Sequence, residues 1–126
     1  MANMSDFLEV ALLNATLNGV TLTSVNNPYI SLWTSDPTDA GSGTAYARVA
    51  SSFATASGTS GSVATNADAT WTAATGGGFG TVVWIGLHDA LTGGNLLYHT
   101  ALDAAKTIDA GDVFKINTGN LTVTLA

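Results

Sequence analysis

The chain contains no cysteine, so it has no disulfide framework, no thiolate metal site and no thiol nucleophile. Positive charge is nearly absent as well: Arg48, Lys106 and Lys115 are the only cations. Nucleic-acid binding draws on several Lys or Arg contacts to phosphates, so three scattered cations exclude that class of partner. Charge of either sign is scarce, at 10% of residues against roughly 25% in an average soluble domain. Nine carboxylates still leave a formal net charge of −6 and a sequence pI near 4.2. No apolar run reaches the ~20 residues that span a bilayer. The start of the chain, MANMSDFLEVALL, lacks the basic stretch of an export signal. The expectation is a soluble chain with no membrane and no nucleic-acid partner.

What fills the chain is apolar and small. Of its 126 residues 46% are hydrophobic, which leaves Thr, Ser, Ala, Gly and Asn to cover most of the surface. Such a surface costs little to desolvate and suits packing against copies of itself or other subunits. The length fits one domain, residues 1–126, divided into an N-terminal helix segment at 1–19 and a β region at 27–126.

The organising stretch is GTVVWIGLHDALTGGNLLYHTAL, Gly80 to Leu102. Two runs of β-branched, aliphatic and aromatic residues flank a loop with Thr92, Gly93, Gly94 and Asn95, the pattern of a β-hairpin. In the first run Val83, Ile85 and Leu87 alternate with Val82, Trp84, Gly86 and His88. In the second, Leu96, Tyr98 and Thr100 alternate with Leu97, His99 and Ala101. Neither face carries charge, which predicts cover on both sides, by a second sheet and by a neighbour or loop.

Around this hairpin the chain reads as follows. Ser5 or Asp6 can cap a helix, with Glu9 three residues beyond Asp6 in capping-box spacing. Phe7, Leu8, Ala11, Leu12 and Ala15 form one apolar stripe, and Asn18-Gly19 supplies a stop. A helix this short is marginal alone and must dock that stripe, on its own sheet by preference or on another subunit. From Thr21 the pattern turns to β. Tyr29 to Thr34 reads as a strand, Ser35 to Thr44 as a turn-rich loop, and Tyr46 to Phe53 and Gly61 to Thr70 as weaker strands. Val113 to Ile116 and Leu121 to Leu125 read as a closing hairpin about Asn117 to Asn120. Seven or eight short strands, with turns roughly every ten residues and no helical crossover, predict an all-β antiparallel sandwich, jelly-roll-like, with a short N-terminal helix.

Chemistry-bearing residues are few. His88 and His99 could approach across the hairpin, but a metal needs a third ligand and Asp89 is the only near candidate, so packing is the expected role of both. Asp36 and Asp39 with Gly41 and Gly43 fall short of the six to eight oxygens that calcium takes, and read as Asx turns. Asp109 and Asp112 about Gly111 read likewise as a turn. Gly76, Gly77 and Gly78 precede a strand and form no phosphate cradle. No nucleophile elbow is present, and the carboxylates lie in turns instead of facing one another in a cleft. The sequence predicts no enzyme, no cofactor and no metal. Among the aromatics, Trp71 and Phe79 flank the glycine-rich loop and are the expected intersubunit contacts, together with Phe7 and Leu8 of the helix.

Four segments carry a resemblance: NPYISLWTSDPTDAGSG (Asn27 to Gly43), the step Tyr46-Ala47-Arg48, the hairpin Gly80 to Leu102, and KTIDAGDVFKINTGNLTVTL (Lys106 to Leu125). The chain resembles a family of small bacteriophage virion proteins, often labelled tail-fibre proteins, and is similar to small β-sandwich proteins that serve as cement or decoration proteins on phage heads. The resemblance implies a structural protein without catalytic residues. It sets out two expectations. The first is a capsid decoration protein, forming homotrimers on the outer capsid surface and bridging major capsid protein subunits. A chain of this length with no stalk and no heptads favours it. The alternative is a tail-fibre or receptor-binding module.

Overall fold

The computed structural model describes residues 3–38, 45–58, 61–72, 74 and 78–125. Among these residues nine strands and one helix follow in the order β1 (Asn3–Met4), α1 (Asp6–Leu17), β2 (Tyr29–Trp33), β3 (Ala45–Ala50), β4 (Ser62–Ala64), β5 (Ala69–Thr70), β6 (Gly80–His88), β7 (Leu96–Ile108), β8 (Lys115–Ile116) and β9 (Thr122–Thr124). A five-stranded sheet runs β1-β7-β6-β2-β3, and two two-stranded ladders, β4-β9 and β5-β8, accompany it. Every pairing is antiparallel. The all-β class with a short N-terminal helix is as the alternation predicts.

The pairs nest: β6 with β7, β5 with β8, and β4 with β9. This is the pattern of a ribbon folded at the β6–β7 turn and rolled, which is what jelly-roll-like means here. It also corrects the closing hairpin: β8 and β9 do not pair with each other. The turn at 117–120 sends them to different partners, held by Gly119 N–H donating to the Thr65 carbonyl (2.8 Å) and by Asp68 accepting from Thr118 N–H (2.7 Å). For the same reason Gly61 to Thr70 is two strands instead of one, interrupted between Ala64 and Ala69. The strand β1, which pairs Asn3 with His99 and Met4 with Tyr98, is too short to leave a sequence pattern.

The core lies between the large sheet and the two ladders. Ile30, Leu32, Val82, Ile85 and Leu87 come from the sheet, and Trp71, Phe114, Ile116, Leu121 and Val123 from the other layer. Trp71 and Phe114 meet edge-on with centroids 5.2 Å apart. On the opposite face of the sheet lie Trp33, Trp84, His88 and His99, and Pro37 of the following loop is fully buried. The hairpin is therefore covered on both sides about Ile85–His88 and Leu96–His99, and the second cover includes a loop of the same chain. Farther from the turn the cover ends: Gly80, Thr81 and most of Ala101 to Thr107 are exposed.

Ser5 caps the helix. Its hydroxyl accepts from Leu8 N–H (3.2 Å) and donates to the Leu96 carbonyl, which ties the helix start to β7. Leu8, Ala11, Leu12 and Ala15 are half-buried and no helical residue is fully buried. The helix docks on its own sheet as expected, along β7, though shallowly. No helix among the described residues is long and apolar enough to cross a membrane.

Candidate functional site

Register on β2, β6 and β7 places Ser31, Gly86 and His99 side by side across the sheet, with Trp33 opposite Trp84 and Tyr29 opposite His88. This makes a buried polar seam. Trp33 Nε1–H donates to Ser31 Oγ (2.6 Å), and Ser31 Oγ lies 2.8 Å from His88 Nε2. The Trp33 and His88 rings stack at 6.2 Å, and the Trp84 and His99 rings meet at 5.5 Å. Burial, reinforced by the Arg48 charge, lowers the His88 pKa to about 4. The imidazole is therefore neutral at pH 7, and its tautomer decides whether Nε2 accepts from Ser31 Oγ or donates to it. A Ser–His pair in that geometry has the look of a nucleophile and its base, but Ser31 is 0% exposed and His88 4%. The seam builds a core of fixed shape; it does not open on a cleft.

Where β6 turns into β7, the loop from Asp89 to Asn95 is closed from two sides. Asp89 accepts from Asn95 N–H (2.7 Å) and from Asn95 Nδ2 (3.0 Å). Burial pushes the Asp89 carboxyl up, but these hydrogen bonds outweigh it and hold the pKa below the usual value. From β3, Arg48 Nη1 donates to the carbonyls of Ala90 and Gly93, both at 2.7 Å. Asp89, the third ligand a metal would need beside His88 and His99, is thus committed to the turn. Among the described residues no group of three His, Cys, Asp or Glu side chains is placed to hold a metal ion. Asp36 accepts from Thr38 N–H (2.8 Å), an Asx turn, with its other neighbour His99 Nδ1 at 3.7 Å. Asp39, Gly41, Gly43, Gly76 and Gly77 lie outside the described residues. Asp109 and Asp112 form the expected turn, each accepting from the other's backbone N–H at 3.0 Å.

The expected interface residues fall in two places. Phe7 is 46% exposed and Leu8 half-buried, and both line a groove with Ala11, Val20, Leu22 and Tyr98. Trp71 is in the core, 2% exposed, so its expected place at an intersubunit contact is corrected: its ring is spent on Phe114 and the sheet. Phe79 is half-buried against that same core, its N–H bonded to the Ile108 carbonyl (2.7 Å). Large exposed side chains that the single-stripe reading of the helix passed over are Val10, Leu13 and Leu17. Their signal was in the sequence, as a second apolar stripe three and four residues apart.

The described residues thus form a small two-layer β protein with a sealed polar seam and a largely apolar exposed N-terminal flank. Residues 3–124 match the family described as podophage GP4 fiber I protein gp80, and the chain belongs to that family. It is a structural protein of the bacteriophage virion. No curated protein matches the chain.

Proposed function

We propose that the chain is a fibre subunit of the phage particle, an architectural module with no reaction of its own. The observation that carries this reading is the family match over 122 of 126 positions, counted from 3 to 124, to a protein described as a fiber protein. The chain is in keeping with it: its charged residues are few, and the Ser31–His88 pair is buried and turned inward. A fibre role places the chain at the tail, contacting neighbouring tail subunits through uncharged surface.

A second reading is a decoration protein on the outer capsid surface, bridging major capsid subunits as a homotrimer. It is favoured by the absence, among the described residues, of any elongated stalk or helix beyond the 12 residues of α1. Burial at ~25 cal/mol per Å² of apolar area, repeated over a shell, would stabilise the particle through many small contacts. Antibody labelling of intact virions followed by electron microscopy separates the two. Label at the tail is expected; label over the shell replaces the fibre reading with the second; particles without label overturn both.

A further inference from the structure

The exposed apolar surface of this protein is gathered in one stretch. Among the described residues ten large hydrophobic side chains are exposed, and seven of them are Phe7, Val10, Leu13, Leu17, Val20, Leu22 and Val25. Two elements supply them. The helix is apolar on two sides: Leu8, Ala11, Leu12 and Ala15 are half-buried, whereas Phe7, Val10, Leu13 and Leu17 stand outward at 46–74% exposure. A surface helix normally keeps one polar side, and one that is apolar all round belongs in an interior.

The following segment repeats the anomaly in extended form. Val20 and Leu22 alternate with Thr21 and Thr23, a strand pattern, yet this stretch joins no ladder. Val20 N–H bonds to the Asn14 carbonyl, and beyond it no backbone hydrogen bond is made from Thr21 to Asn26 among the described residues. Between this segment, the helix and Tyr98 lies a groove of about 620 Å³. Unpaired, strand-patterned backbone beside exposed apolar side chains is the surface that natural sheets protect or pair.

We propose that a second copy of this chain covers the Phe7–Val25 surface, each copy presenting the same stretch. Three observations select that occupant. Seven large hydrophobic residues, 39–74% exposed, fall between Phe7 and Val25, a concentration of exposed apolar surface that marks an interaction site. Within Phe7–Val25 the one charged residue is Glu9, and none occurs from Val10 to Ser35, so the patch offers little to a partner chosen by charge, while a second copy brings the same near-neutral chemistry. The unpaired strand pattern asks for another strand with free N–H and C=O groups, and the second copy's own Thr21–Asn26 supplies one. The contact is independent of whether the protein sits on head or tail.

The test is the mass of the full chain in solution, by light scattering after size exclusion over a concentration series. The native chain is expected as an oligomer of the 12.7 kDa protomer. The double variant Leu13→Ser/Leu17→Ser and, separately, Leu22→Asp are expected to associate at least about tenfold more weakly, with the combined fluorescence of Trp33, Trp71 and Trp84 unchanged. These positions are exposed, so folding does not depend on them. A native chain that stays monomeric at high micromolar concentration overturns the proposal. So does an oligomer that both variants leave intact. A monomer that still labels the tail or shell would sink this contact and leave the virion role standing.

Discussion

Gly86 sits where three side chains converge. A Cβ there would lie 2.8 Å from Leu96 Cδ1 and 2.9 Å from both Ser31 Oγ and Trp33 Nε1. Two of those atoms are joined by the seam's shortest hydrogen bond, so neither can give way freely. Gly86→Ala is expected to cost about 1–3 kcal/mol, read as a lower urea midpoint by tryptophan fluorescence. His88 makes the second test. Its folded pKa, about 4, lies below the ordinary value of 6.5, so the unfolded chain takes up a proton first as pH falls. The stability is fully present above pH 6.5 and is lost as pH falls toward 4, on the order of 3 kcal/mol across that window. His88→Gln should flatten the slope of unfolding free energy between those pH values; an equal slope in the variant would assign it to other groups. None of this was legible beforehand, because a buried His reads in sequence only as a polar residue in an apolar run. Its neutrality comes from burial and from Arg48, which lies far from it along the chain.

Elements were legible where pattern and length were both generous. The hairpin β6–β7 could be read because two long alternating runs flank a glycine-bearing loop. The strands β4, β5, β8 and β9 could not be paired from sequence, since two or three residues carry no register and the partners lie about fifty or sixty positions away. The turn between β6 and β7 depends on such a distant partner too. Arg48 crosses from β3 to hold Ala90 and Gly93. Arg48→Ala is expected to lower stability by about 1–2 kcal/mol and to speed hydrogen exchange at the Asn95 amide more than in β9. Uniform acceleration throughout the protein would mean that the arginine braces the whole sheet and not this loop. At the helix, the cap and the stop were in the sequence, while its shallow docking was not. Depth of burial depends on what lies opposite, and one helix face is half-covered by β7 with the other bare.

For the whole molecule the scarcity of charge has a measurable sign. Association through an apolar surface whose one charge is Glu9 should strengthen in ammonium sulfate and be nearly indifferent to moderate sodium chloride. Association that weakens as sodium chloride rises would point instead to ion pairs, and so to a surface other than Phe7–Val25. The cations available for such pairs, Arg48, Lys106 and Lys115, all lie beyond Val25 in the chain.

The nested pairing has a consequence for how the protein comes together. Closing the β6–β7 turn brings β5 near β8, and that union brings β4 near β9, so each step shortens the loop the next must close. Assembly of the part from β4 to β9 should run outward from the β6–β7 hairpin like a zip, with the C-terminal β9 arriving last. A pull on the C-terminus would reverse the sequence, stripping β9 from β4 before the central hairpin feels the load.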